Sequence, residues 1–284
     1  MSKREGSFDI RHILVALDAS THSLAAVEAA ADLAAAMQAE MDGLFVEDIN
    51  LIRLASLPCT REVRHTTSVA SLDLEQMERA LKAQAAEARQ ALAAAARRAH
   101  VQWSFRVARG RVAHEVLAAA AAADLVTLGK LGRSRSPQAR LGSTALRALA
   151  GAPIALLLVE HWRVGAHGLR PVLVVYDGSE GAGRALEAAA RLAEAGRVSL
   201  TVVLLADDPD AIRGLKLAVA HSLEGRSIAV RWHALALAAG HSLLHVIQSD
   251  DAVLLVLSLS SPRLPEATIG KLLDHISNPV LLIR

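Results

Sequence analysis

The chain repeats itself. From His12 it reads HILVALDASTHSLAAVEAAADLAAAMQAEMDGLFVED, and from Pro171 it reads PVLVVYDGSEGAGRALEAAARLAEAGRVSLTVVLLAD. Both copies run an apolar stretch into an Asp-x-Ser step, then an alanine-rich helical pattern, then a second apolar stretch. Asp18 corresponds to Asp177, and Ser20 to Ser179. Later segments also match: AAADLVTLG at 121–129 with SDDAVLLVLS at 249–258, and APIALLLVE at 152–160 with NPVLLIR at 278–284. A period of roughly 150 residues is far too long for a solenoid, so the repeat is a duplicated domain.

Within the first copy, strand and helix patterns alternate. Strands are expected at Ile10–Leu17, Met41–Val46, Gln102–Val107, Asp124–Leu128 and Pro153–Val159. Helices are expected at Thr21–Ala39 with Ser20 as cap, Ser71–His100, Val112–Ala122 and Ala145–Ala150. The stretch around Pro58 and Cys59 reads as a loop. Such alternation implies an α/β fold with parallel sheets and right-handed crossovers. Residues 161–170, polar and glycine-containing, read as a linker between domains at 1–160 and 171–284. The second copy is shorter because its long helix is trimmed.

Composition narrows the function. The sequence is 52% hydrophobic but only 2% aromatic, so its core is built from Ala, Leu, Val and Ile. A formal charge of +2, from 31 basic and 29 acidic residues, gives no electrostatic footprint for nucleic acid. Scarce aromatics argue against base stacking as well. No apolar run approaches the ~20 residues that span a bilayer, and no secretory h-region opens the chain, so no membrane partner is expected. Cys59 is the single cysteine, which excludes an intramolecular disulfide and fits a cytoplasmic protein.

The stretch GKLGRSRSPQARLGST, Gly129 to Thr144, carries the chemistry. Gly129, Gly132 and Gly142 stand at fixed intervals, and Ser143 and Thr144 follow at the start of a helix. Glycine lets backbone N–H groups approach a ligand, and the first N–H groups of a helix have no internal partner. Arg133, Arg135 and Arg140 add cations. This is an anion cradle, and nucleotide phosphate is the ligand it suggests. Two other phosphate loops are absent: neither G-x-x-x-x-G-K-[ST] nor a G-x-G-x-x-G after the first strand occurs. The second copy has Ser258, Ser261, Gly270 and Lys271 instead, with Pro262 and Pro265 between. One competent nucleotide site and one degenerate copy are therefore expected.

With these residues in view, each half resembles a universal stress protein domain, and the whole resembles a tandem member of that family. The first half carries the family's ATP-type signature, G-x2-G-x9-G-[ST], at Gly129, Gly132, Gly142 and Ser143, together with Asp18, Ser20 and a turn at Gly110. The resemblance implies two doubly wound domains, each with a five-stranded parallel sheet of order 3-2-1-4-5 flanked by helices. It implies ATP, with Mg2+ as accompanying ion, in the crevice beyond strands one and four. Asp18 would lie beside the nucleotide and Val46 would border the adenine. Gly129, Gly132, Gly142, Ser143 and Thr144, with Arg133 nearby, would hold ribose and phosphates. The family's dimer joins fifth strands. Here the two copies would pair Pro153–Val159 with Pro279–Ile283 as an intramolecular pseudo-dimer, leaving other surfaces for a homodimer.

Catalytic motifs are missing. His241 and His245 share a helical face, but no HExxH or G-x-S-x-G pattern appears. His161 and His167 flank the linker and are expected to face solvent. The expected function is that of a stress-response protein using ATP as a regulatory or stabilising ligand. A weak ATPase or autokinase, with Asp18 and the Ser143–Thr144 hydroxyls as its only candidate groups, and a nucleotide-independent scaffold are the alternatives.

Overall fold

Serine caps start the first helix of each half. The computed structural model describes residues 8–18, 20–56, 61–63, 69–71, 74–131, 141–162, 169–236, 240–249 and 254–284, with the backbone alone at 61–63, 69–71, 236 and 240–242. Strand β1 (His12–Leu17) feeds α1 (Thr21–Met37) through Ser20, whose side chain accepts from Ser23 N. Strand β8 (Val172–Tyr176) feeds α6 (Glu180–Gly196) through Ser179, which accepts from Ala182 N. Such caps contribute about 1 kcal/mol each. Both helices also end alike, in a left-handed residue that is not glycine: Gln38 at φ 55° and Arg197 at φ 51°. The repeat thus extends to an unfavourable backbone conformation.

The first half continues with β2 (Glu40–Asp48), α2 (Ile49–Ala55), β3 (Arg61–Val63), β4 (Val69–Ser71), α3 (Leu74–Ala99), β5 (Trp103–Gly110), α4 (Val112–Ala120), β6 (Leu125–Gly129), α5 (Ser143–Gly151) and β7 (Ala155–Val159). The second half continues with β9 (Leu200–Ala206), α7 (Pro209–Ser222), β10 (Val230–Ala236), α8 (Gly240–Gln248), β11 (Leu254–Ser258), α9 (Glu266–Leu273) and β12 (Val280–Ile283). The trimmed helix is α7, of 14 residues against 26 for α3.

Among the described residues ten strands form one sheet of order β10-β9-β8-β11-β12-β7-β6-β1-β2-β5. Each half has the expected 3-2-1-4-5 order, parallel throughout. The halves join at β7 and β12, which pair antiparallel with Val280 opposite Leu158 and Leu282 opposite Leu156. The stretch after β2, expected to be a loop, differs: Asp48 accepts from Asn50 N at 2.9 Å and starts α2, and β3 and β4 form a short antiparallel pair.

The core lies in two layers. Ile13, Val15 and Leu17 of β1 face α1, α3 and α6, while Leu14 faces the layer of α4, α5, α8 and α9. Helix α1 touches α3, α6 and the strands β1, β6 and β7. With neighbours on so many sides it needs small side chains, and Ala26, Ala29, Ala30, Ala31 and Ala34 are all buried. Helix α3 is amphipathic instead, burying Leu81, Ala85, Ala88, Leu92 and Ala96. No helix among the described residues is long and apolar enough to cross a membrane.

Candidate functional site

Parallel order reverses at β1, which pairs β2 on one side and β6 on the other. Loops leaving β1 and β6 therefore diverge and open a crevice at their carboxyl ends. A cavity of about 930 Å³ occupies this position. Asp18, Val46, Gly129, Gly142, Ser143 and Thr144 all line it. Gly132 and Arg133 lie outside the described residues, as do Arg135, Arg140 and Cys59.

Each wall has a local cause. Asp18 Oδ1 accepts from Ser20 N at 3.0 Å, and Asp18 N donates to Ser23 Oγ at 3.2 Å. This small network fixes the carboxylate where β1 turns into α1. Val46 is buried near the end of β2. The loop that follows β6 is pinned at its neck, where Gly142 N donates to Lys130 O at 2.8 Å. Helix α5 then begins after Gly142 with no side-chain cap among the described residues, and Gly142, Ser143 and Thr144 at its start line the cavity; the first N–H groups of a helix have no internal partner.

The two described glycines of the loop differ from expectation in their reason. Neither has a positive φ, and Gly142 sits at φ −69° and ψ 154°, which any residue adopts. Gly129 is required by close approach: a Cβ there would lie 2.9 Å from the carbonyl carbon of His22 and 3.0 Å from Ser23 N. The first turn of α1 presses on the strand end, and only a hydrogen fits between them. Lys130, next in sequence, does not line the cavity; it is buried and faces the seam between the halves.

Sequence reasoning missed several lining residues. Leu51 of α2, Leu81 and Gln84 of α3, Arg111 and Leu117 beside and on α4, and Arg147 of α5 all border the cavity. Leu51 sits on a helix read as loop. Arg147 follows Ser143 by four residues, a spacing that would have placed it on the same helix face.

In the second half the carboxylate equivalent to Asp18 is bonded by its own chain. Ser261 Oγ donates to Asp177 Oδ2 at 2.6 Å, and Ser179 Oγ donates to Oδ1 at 2.6 Å. Burial pushes the Asp177 carboxyl up, but these hydrogen bonds together hold it below the ordinary aspartate value. Arg263 reaches across to Asp207 at 2.9 Å, and Leu264 is buried in the core. Ser258 packs against the first turn of α6: a Cβ at Gly181 would meet its Oγ at 2.4 Å.

Among the described residues no group of three or more His, Cys, Asp or Glu side chains is placed to hold a metal. A sequence model described as the Universal stress protein family matches residues 9–160. The chain belongs to this family. A universal stress protein from Archaeoglobus fulgidus DSM 4304 shares the fold over 96% of this chain and 98% of that one, with a TM-score of 0.73 at 18% identity. A functionally unknown protein from Pseudomonas aeruginosa PAO1 covers 97% of this chain and 93% of its own, with a TM-score of 0.62 at 17% identity. That near-complete coverage shows the universal stress fold twice in one chain. No curated protein matches this universal stress protein in sequence.

Proposed function

We propose that the chain binds ATP in the crevice of its first half, in the cytoplasm, as a regulatory or stabilising ligand. The observation that carries this reading is the uncapped N-terminus of α5 opening onto a cavity of about 930 Å³. Free N–H groups at a helix start favour an anion, and the volume suits a ligand of nucleotide size. Ser143 and Thr144 stand at that turn to hold phosphate. Val46 and Leu51 offer an apolar wall for a base, and Asp18 is fixed between the two ends. Mg2+ would enter as the counter-ion of the phosphates. The second half, whose equivalent carboxylate is taken by Ser179 and Ser261, would hold no nucleotide. Function would follow from linkage: a ligand held by one conformation raises the population of that conformation.

Titration calorimetry with ATP, together with nucleotide analysis of the supernatant released by heating the purified protein, tests the proposal. Saturable binding at one site per chain is expected. A protein that neither carries nor binds an adenine nucleotide would overturn it.

A further inference from the structure

We propose that Arg147 is the residue by which this cavity distinguishes a nucleoside triphosphate from its dephosphorylated relatives; the inference rests on the nucleotide reading above. Ser143 and Arg147 stand four residues apart on α5 and so share one helix face. Long helical side chains lean toward the N-terminus of their helix. Arg147 is thereby drawn over the uncapped turn that Ser143 begins, and both residues line the cavity.

Two other cations of the first half are engaged elsewhere. Arg109 pairs Glu47 at 2.8 Å and Glu78 at 3.4 Å. Lys130 is held by Glu160 and the Ile276 carbonyl. Arg147 makes no hydrogen bond or ion pair among the described residues. The carboxylates on the cavity wall, Asp18 and Asp48, form no ion pair with it among the described residues and accept neighbouring backbone N–H groups.

A guanidinium without a partner among the described residues, beside a helix N-terminus, suits an oxyanion. The fork of N–H donors suits two oxygens of a phosphate, and the helix end adds positive potential at the same place. The first phosphate of a nucleotide is served by the helix turn itself. Arg147 adds a second anchor, which only a longer phosphate tail reaches. Arg111 likewise has no partner among the described residues and lines the cavity. It precedes α4 rather than lying on α5, and it serves as the comparison that separates the role of one side chain from a change in net charge.

Titration calorimetry of the full chain with ATP, ADP, AMP and adenosine, for wild type, Arg147→Met, Arg147→Lys and Arg111→Met, tests the inference. Arg147→Met is expected to weaken ATP about tenfold or more, AMP less, and adenosine not at all. Arg147→Lys should recover part of the loss. An Arg147→Met protein that binds ATP like wild type overturns the inference while leaving the nucleotide reading intact. So does one that loses ATP and adenosine equally, or an Arg111→Met protein that matches it. A wild-type chain that binds none of the four overturns both.

Discussion

Lys130 Nζ donates to the carbonyl oxygen of Ile276 at 2.5 Å, across 146 residues of sequence and across the seam between the halves. Its other partner is Glu160 Oε2 at 2.9 Å. A reciprocal contact comes from the second half, where Arg284 donates to the carbonyl of Leu149 in the last turn of α5. Each half thus places a cation on carbonyl oxygens at or just beyond the end of the other's last helix, where the helix dipole favours positive charge. Replacing Lys130 with Met leaves the Ile276 carbonyl and Glu160 without this partner. The variant is expected to lose about 2–3 kcal/mol of stability, read as a lower urea midpoint. Adding Glu160→Gln should recover part of it. An unchanged midpoint would contradict the burial of this contact.

Two glycine-to-alanine changes should have opposite signs. Gly129→Ala forces the first turn of α1 away from β6, because the obstructing atoms are backbone. A loss of about 1–3 kcal/mol follows. Gly183→Ala lies inside α6 with nothing within 4 Å of the added Cβ. There the gain is about 0.5–1 kcal/mol, from helix propensity and a less free unfolded chain. Thermal unfolding of the two proteins beside wild type checks both.

Asp177 predicts an acid-dependent stability. Its folded pKa lies below the ordinary 3.8, so the folded state binds the proton less tightly than the unfolded one. The contribution is present above the unfolded value and is lost as pH falls through the folded one. Asp177→Asn should therefore cost about 1 kcal/mol at neutral pH, with the difference from wild type fading below pH 3.8. Urea unfolding at several pH values measures this, and a pH-independent difference would count against it.

Nucleotide occupancy should be asymmetric and stabilising. ATP at a hundred times its dissociation constant adds about 2.7 kcal/mol to the stability of the state that binds it. A thermal shift with ATP and a stoichiometry of one per chain are expected. Two nucleotides per chain would show that the loop from Ser258 to Pro265 opens.

Much of the architecture was legible in the chain because the repeat supplies two readings of one pattern. Ser20 and Ser179 announce the same cap, and the matching ends at 152–160 and 278–284 anticipate the strands that meet at the seam. The crevice beyond strands one and four was implied by the family resemblance, and a cavity stands there. Other parts were hidden for physical reasons. Helix α2 has only seven residues, too few for periodicity to declare it. Lys130 carries no signal of its own in the sequence, since nothing local points to a carbonyl 146 residues away. Ser261 looked like a lost glycine, and its hydrogen bond to Asp177 exists only once the second half has folded. Gly129 was noted as part of a phosphate loop, whereas the geometry ties it to the approach of α1.

The antiparallel pairing of β7 with β12 has a consequence for dilution. Two separate chains joined along such strands would part as concentration falls, because their association is bimolecular. Here both strands belong to one polypeptide, so their encounter takes place at an effective concentration set by the connecting chain. The seam is as intact at nanomolar protein as at millimolar. Any signal carried by this molecule through assembly must therefore arise elsewhere on its surface.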